Sequence, residues 1–188
     1  MFFAKYLKQF GYNPIVLTVD SKYASYNLID NSLTDQVKGI EVHKTPSFEI
    51  LKLYSMFKSG NKNKAIPQSY IPTQSFFDKI ALFIRLNFFI PDSRIGWNYF
   101  AFKKAKKIIE DYNINCVITT GPPHSSHLIG KKICKKFKLK WIVDLRDPWA
   151  ELFYLKNKFQ FKYVKKLNLK FEADVLNSAD AILTTVGN

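Results

Sequence analysis

The stretch CVITTGPPHSSHLIG, residues 116–130, decides how this chain is read. CVITT is a strand-like run that stops at Gly121-Pro122-Pro123. A helical pattern follows over 124–137, with Leu128, Ile129, Ile133 and Phe137 as its apolar positions. Glycine permits a left-handed backbone, the two prolines stiffen the turn, and Ser125 or Ser126 is placed to cap the helix. The block therefore reads as strand, rigid turn and helix. Three uses are open to it. It is a well-built connection and nothing more, or it presents His124 and a helix N-terminus to a ligand, or His124 and His127 bind a metal. Amides at a helix N-terminus suit an anion, and a histidine exchanges protons near neutral pH. The metal use needs a third ligand, and no acidic or cysteine partner is evident, so no metal is expected.

Outward from this block the same alternation continues. WIVDL at 141–145 reads as a strand, 162–177 as a helix and AILTT as a last strand. Upstream, a helix spans about 97–112, with Ala101, Ala105, Ile108 and Ile109 inward and Lys103, Lys104, Lys106 and Lys107 outward. Helices alternating with apolar strands predict an α/β, Rossmann-like domain, a parallel sheet with helices on both faces.

The first half begins with a helix over 2–10, where Phe3, Tyr6, Leu7 and Phe10 share a face and Gly11 is the stop. PIVLTVD and GIEVHKT read as strands, separated by a loop over 21–38. Residues 58–75 carry Gly, Asn, Lys and two prolines and read as a mobile excursion. The helix over 76–90 has a broad stripe of Phe76, Phe77, Ile80, Phe83, Ile84 and Phe88 and ends at Pro91. Buried core or domain contact is the expectation for it. An interfacial amphipathic segment is the alternative, because aromatic and basic residues adjoin.

Ligands of such sheets bind at the carboxyl ends of the strands, here VD at 19–20, TTGPPHS at 119–125 and DLRDPW at 144–149. In the last, Asp144 and Arg146 form a structural ion pair, or a carboxylate serves as general base while Arg146 holds an anionic group. Pro148 and Trp149 would fix the turn and offer an apolar, sugar-stacking face.

Composition sets the outer bounds. With 188 residues, 47% hydrophobic and 16% aromatic, the chain is read as one globular domain, 1–188, and not as a disordered one. Lys+Arg of 29 against Asp+Glu of 15 gives a net charge of +14, so the partner is expected to be anionic. KKICKKFKLK, residues 131–140, holds six lysines and is either a solvated helix face or a surface for phosphate or lipid headgroups. No recognised nucleic-acid motif accompanies the charge, so nucleic acid is not an expected partner. Cys116 and Cys134 are read as reduced thiols, since no Cys-x-x-Cys pair exists. Lys5 and Lys8 interrupt the N-terminal apolar run, and no window reaches the ~18 apolar residues of a spanning helix. The expected location is the cytoplasm, at or near the inner face of the membrane.

TTGPPHSSHLIG followed by KWIVDLRDPW closely resembles the N-terminal domain of family 4 glycosyltransferases, of the GT-B type. FAKYLKQFGYNPIVLTV, GIEVHKTPSFEILKLY, NFFIPDSRIGW and ADVLNSADAILTTV extend the resemblance over nearly the whole chain. The resemblance implies two Rossmann-like domains with the active site between them. The N-terminal domain binds the acceptor, a glycan or lipid-linked sugar, in cell-surface polysaccharide synthesis. The C-terminal domain binds a nucleotide-sugar donor, and transfer proceeds with retention, with no cofactor and no metal. It places Asp144, Arg146 and Asp147 at the cleft and His124 and Ser125 on the facing loop. Asp147, Asp144 and His124 are then the catalytic candidates, and Arg146, Ser125, Gly121 and Trp149 the substrate-binding ones. The family often has a histidine near the end of the strand occupied here by VDLRD. This sequence has none, which leaves the base unassigned, and in retaining transfer the leaving phosphate can take the acceptor proton.

The pattern departs from the family at both ends. The family's first strand with its glycine-rich loop has no counterpart here, and neither has the donor domain. The expectation is a fragment, inactive by itself and marginally stable, with two interior ladders unpaired where that strand would lie. A non-catalytic basic Rossmann-like module, holding an anionic lipid or another phosphorylated ligand through its lysines, is the alternative function.

Overall fold

The computed structural model describes residues 2–23, 38–48, 76–150 and 158–185, which fall into two compact units, Met1–Tyr70 and Ile71–Asn188. The expected excursion at 58–75 and most of the expected loop at 21–38 lie outside the described residues.

In the first unit the chain opens with helix α1, Phe2–Leu7, which tightens into a 3-10 turn at Lys8–Phe10. Gly11 closes it at φ +80, a left-handed conformation that favours a residue without Cβ, and its amide donates to the Lys8 carbonyl at 3.1 Å. The expected single helix over 2–10 thus changes type after Leu7. Strands β1, Ile15–Val19, and β2, Glu41–Thr45, pair in parallel from Ile15 opposite Glu41 to Val19 opposite Thr45. The Lys8 ammonium donates to the Gly39 carbonyl, which ties the first turn to the approach of β2.

The second unit runs α2 (Phe76–Phe88), a 3-10 turn (Ile95–Trp97), α3 (Asn98–Tyr112), β3 (Cys116–Gly121), α4 (Ser125–Phe137), β4 (Lys140–Leu145), α5 (Lys162–Leu176) and β5 (Ala181–Thr184). Its three strands are parallel in the order β3-β4-β5, with Cys116 opposite Lys140 and Ile142 opposite Ala181. The two units together are therefore α/β with parallel sheets and flanking helices, compatible with a Rossmann-like fold. Among the described residues β1 pairs only with β2, and β3 only with β4.

Alternation of side chains along a strand decides what each face of this sheet does. Val117, Thr119, Trp141, Val143 and Leu145 point to one face. There Cys134 of α4, Val175 of α5 and Trp149 complete a core with Trp141 and Val143. Ile118, Thr120, Ile142, Asp144 and Leu183 point to the other, where Ile118 and Leu183 are exposed. Uniformly apolar strands predict cover on both faces, but β3 and β5 have an open side, and every residue of β5 is exposed. β4, with a neighbour on each edge, buries Trp141 and Val143 on the face towards α4.

Gly130 sets how closely α4 lies on this sheet. A Cβ there would come within 2.5 Å of Thr119 Cγ2 and 2.6 Å of Trp141 Nε1. Helix propensity alone favours alanine over glycine by about 1 kcal/mol. Overpacking against a fully buried indole costs about 1–3 kcal/mol and opposes it. Gly130→Ala is therefore expected to be destabilising, seen as a lower urea midpoint at unchanged slope. A raised midpoint would show that α4 has room to lift.

Candidate functional site

The GPPHS turn begins where β3 ends. Its cap is not the local serine that the spacing suggests. Ser126 donates its hydroxyl to the carbonyls of Thr120, at 2.7 Å, and Pro123, at 2.8 Å. The cap is the Asp92 carboxylate, 33 residues upstream. It accepts the Ser125 amide at 2.8 Å and the Ser125 hydroxyl at 2.9 Å. Asp92 is itself held by the Arg94 amide at 2.9 Å. A carboxylate at the start of α4 also suits the positive end of the helix dipole. It stands where an anionic ligand would have met that amide, and Ser125 is fully buried behind it. Asn98 of α3 closes the arrangement by donating to the Ser125 carbonyl at 3.0 Å.

Below the turn, His127 is fully buried against β3. Trp141 Nε1 donates to Thr119 Oγ1 at 3.0 Å, and Thr119 Oγ1 lies 2.8 Å from His127 Nδ1. The hydroxyl accepts from the indole and shares a hydrogen bond with Nδ1, whose direction follows the tautomer of the imidazole. Among the described residues, His127 Nε2 and His124 Nδ1 have no hydrogen-bond partner. Both nitrogens crowd Gly121, where a Cβ would lie 2.5 Å from His127 Nε2 and 3.0 Å from His124 Nδ1. Gly121 thus makes room for two rings. Burial pushes the His127 pKa down to about 4, helped by the neighbouring His124. Burial also lowers His124, opposed by Asp92, the Pro148 carbonyl and Asp147.

His124 is buried too. It stacks on Trp149 with ring centroids 4.9 Å apart and planes 11° apart. Trp149 belongs to the core, and its Nε1 donates to Asn168 Oδ1 of α5 at 3.3 Å. The indole face expected to greet a sugar is covered by the histidine. His124 and Trp149 therefore brace the turn from beneath.

The DLRDPW segment supplies what faces outward. Arg146, Asp147 and Pro148 are exposed. The expected Asp144–Arg146 ion pair does not form. Arg146 turns back across the strand ends, donating from its amide to the Gly121 carbonyl at 3.2 Å and from Nη2 to the Pro122 carbonyl at 3.1 Å. Its charge binds the two motifs together, and Nη1 makes no hydrogen bond to a described residue. Asp147 makes no hydrogen bond or ion pair with any described residue. Asp144 lies on the open face and accepts the Thr120 hydroxyl at 2.7 Å across the register. The sheet separates it from His124 and His127, because neighbouring side chains point to opposite faces.

The structure thus brings Arg146 and Asp147 to one exposed edge over the buried Gly121, with Asp144 and Thr120 beside them. It sets His124, Ser125 and Trp149 behind as supports. Thr119, Thr120 and Asp92 belong to this site as much as the residues expected there. The alternation of β4 could have indicated the side of Asp144, but Ile142 is as apolar as Val143 and hides it. Nothing local marks Asp92 as the cap of a helix so far along the chain.

Other chemistry is less favoured here. Both cysteines are free thiols; burial raises the pKa of each, that of Cys134 to about 12, so neither is a thiolate nucleophile near neutral pH. Among the described residues no group of His, Cys, Asp and Glu is arranged to hold a metal ion. No helix among them is long and apolar enough to cross a membrane. The lysines of α4 are partly engaged: Lys131 pairs with Asp174 at 3.2 Å, and Lys132 lies over the Phe102 ring at 4.3 Å. Comparison with family models, curated proteins and solved structures returns no match for this chain.

Proposed function

We propose that this chain is the acceptor-side domain of a retaining glycosyltransferase, which acts on a glycan or lipid-linked sugar with a nucleotide-sugar as donor. What supports the reading is the meeting of its two diagnostic segments. The Arg146 guanidinium and amide span from DLRDPW to the carbonyls of Gly121 and Pro122, so the two motifs form one exposed edge. On this reading Arg146 offers its outer nitrogen to an anionic group of the acceptor, as guanidinium groups do for phosphate. The Asp147 carboxylate receives an acceptor hydroxyl. Asp144, oriented by Thr120, takes a second hydroxyl on the open face. Asp92, Ser125, His124 and Trp149 hold the turn that positions them, and Gly121 leaves space for the rings.

The test is a calorimetric titration of a polyprenyl-phosphate-linked sugar into the intact chain and its variants. Asp147→Ala and Arg146→Ala are each expected to weaken binding by roughly tenfold to a hundredfold, the loss of one hydrogen bond to a charged group. The reading fails if Asp147→Ala binds as tightly as the unaltered chain. It also fails if replacing Lys131, Lys132, Lys135 and Lys136 with alanine alone abolishes binding, since charge without sugar recognition is the mark of a basic lipid- or phosphate-binding module.

A further inference from the structure

Helix α2 leaves much of its apolar stripe exposed. Its buried positions include Asp78 and Ala81 on one side and Asn87 on the opposite one. Its solvent face carries Ile80, Phe83, Ile84 and Phe88, spaced to lie along one side. The apolar stripe, expected to be buried core or a domain contact, is therefore not buried as core.

A second segment widens it. Asn87 donates to the Phe159 carbonyl at 3.3 Å and accepts the Phe161 amide at 2.7 Å, and Gln160 donates to the Leu86 carbonyl at 3.3 Å. These bonds lay residues 159–161 along α2. Phe159 stacks on Phe83 with centroids 5.9 Å apart, yet stays 65% exposed, as does Phe88. Between helix and segment lies a shallow opening of about 250 Å³, with Leu82, Phe83, Leu86 and Phe159 as walls and Lys79 and Lys158 at its rim.

The charges around the stripe are of one sign. Residues 76–91 contain a single acidic residue, Asp78, which is buried. Residues 158–171 contain none, and Lys158, Lys162, Lys165, Lys166 and Lys170 are all exposed. Protein–protein interfaces are enriched in aromatics but depleted in lysine. Aromatic side chains flanked by lysines suit the boundary between anionic headgroups and acyl chains, where rings insert and ammonium groups meet phosphates.

We propose that the outward face of α2, with Phe159 and the lysines at 158–166, docks on the surface of an anionic lipid bilayer. The surface stands independently of the sugar-transfer reading, because it uses neither of the motifs at the strand ends.

The test is co-sedimentation of the intact chain with vesicles of equimolar phosphatidylcholine and phosphatidylglycerol, and with vesicles of phosphatidylcholine alone. Neither contains a sugar acceptor, so the outcome does not depend on transfer chemistry. Binding is expected to the anionic vesicles only and to weaken with added salt. The double variants Phe88→Ser with Phe159→Ser, and Ile80→Ser with Ile84→Ser, change exposed positions and share no residue, so one folding failure leaves the other informative. Each is expected to weaken binding roughly tenfold or more. Replacement of Lys131, Lys132, Lys135 and Lys136 with alanine is expected to weaken it less. Absence of vesicle binding overturns the proposal, as does binding lost with the α4 lysines and kept in both α2 variants. A dimer that light scattering detects in the unaltered chain and not in the α2 variants, without vesicle binding, would instead assign the face to a second copy.

Discussion

Acidification is expected to remove about 3 kcal/mol of folding stability as His127 becomes protonated, a consequence of its passage from an ordinary pKa of 6.5 to about 4 on burial. In the unfolded chain the imidazole binds its proton near 6.5; in the folded one it resists until about 4. Between those values the unfolded state holds more protons, so stability is complete above 6.5, falls as the pH drops and levels off near 4. His124, also lowered by burial, adds loss in the same direction. Both effects have one origin. The space around Gly121 admits two rings, and no carboxylate among the described residues compensates His127, so charging it would bury an uncompensated cation. Urea unfolding at a series of pH values measures this. The upper part of the window, before ordinary carboxylates protonate, belongs to the histidines. His127→Gln is expected to flatten the dependence there, and His124→Gln to flatten it in part. Equal stability at pH 7 and pH 5 would show that His127 is not held neutral.

Trp141→Ala is expected to cost about 3–5 kcal/mol, the range for truncating a buried aromatic residue to alanine. The indole is 1% exposed and sits at the centre of the core with Val143, Trp149, Val175 and Cys134. It also donates to Thr119, which orients His127, so the cavity would come with a disordered hydrogen-bond chain. Trp141→Phe keeps much of the volume and loses that donor, for a cost of about 1–2 kcal/mol. Thermal midpoints of the two variants separate packing from hydrogen bonding. For a domain of this size each kcal/mol moves the midpoint by about 2–4 °C. Equal midpoints for the alanine and phenylalanine variants would deny that packing dominates.

The two expectations meet at Thr119. One hydroxyl accepts from the tryptophan on the neighbouring strand and is hydrogen-bonded to the histidine of the helix above, so β3, β4 and α4 share a polar junction inside an apolar core. Such junctions are costly if any member is left unpaired. That cost links the stability of the core to the exposed edge formed by Arg146 and Asp147.

What the amino-acid sequence determined by itself is the succession of elements. The glycine and prolines at 121–123 end β3 where the spacing says, the helical stripes of α3 and α4 lie within a residue or so of their expected limits, and the strands are parallel. Periodicity and turn chemistry are local, so they survive in the sequence. Four things were decided only by the tertiary structure. Asp92 caps a helix 33 residues away. Trp149 is covered by His124 and not open to a ligand. Asp144 falls on the open face of the sheet, opposite the histidines. The stripe of α2, whose spacing reads as core or domain contact, leaves Ile80, Ile84 and Phe88 exposed while Asp78 on the other side is buried. Each depends on which surface another element brings up against a side chain. Spacing along the chain tells which residues share a face, but the packing of distant segments chooses which face is buried.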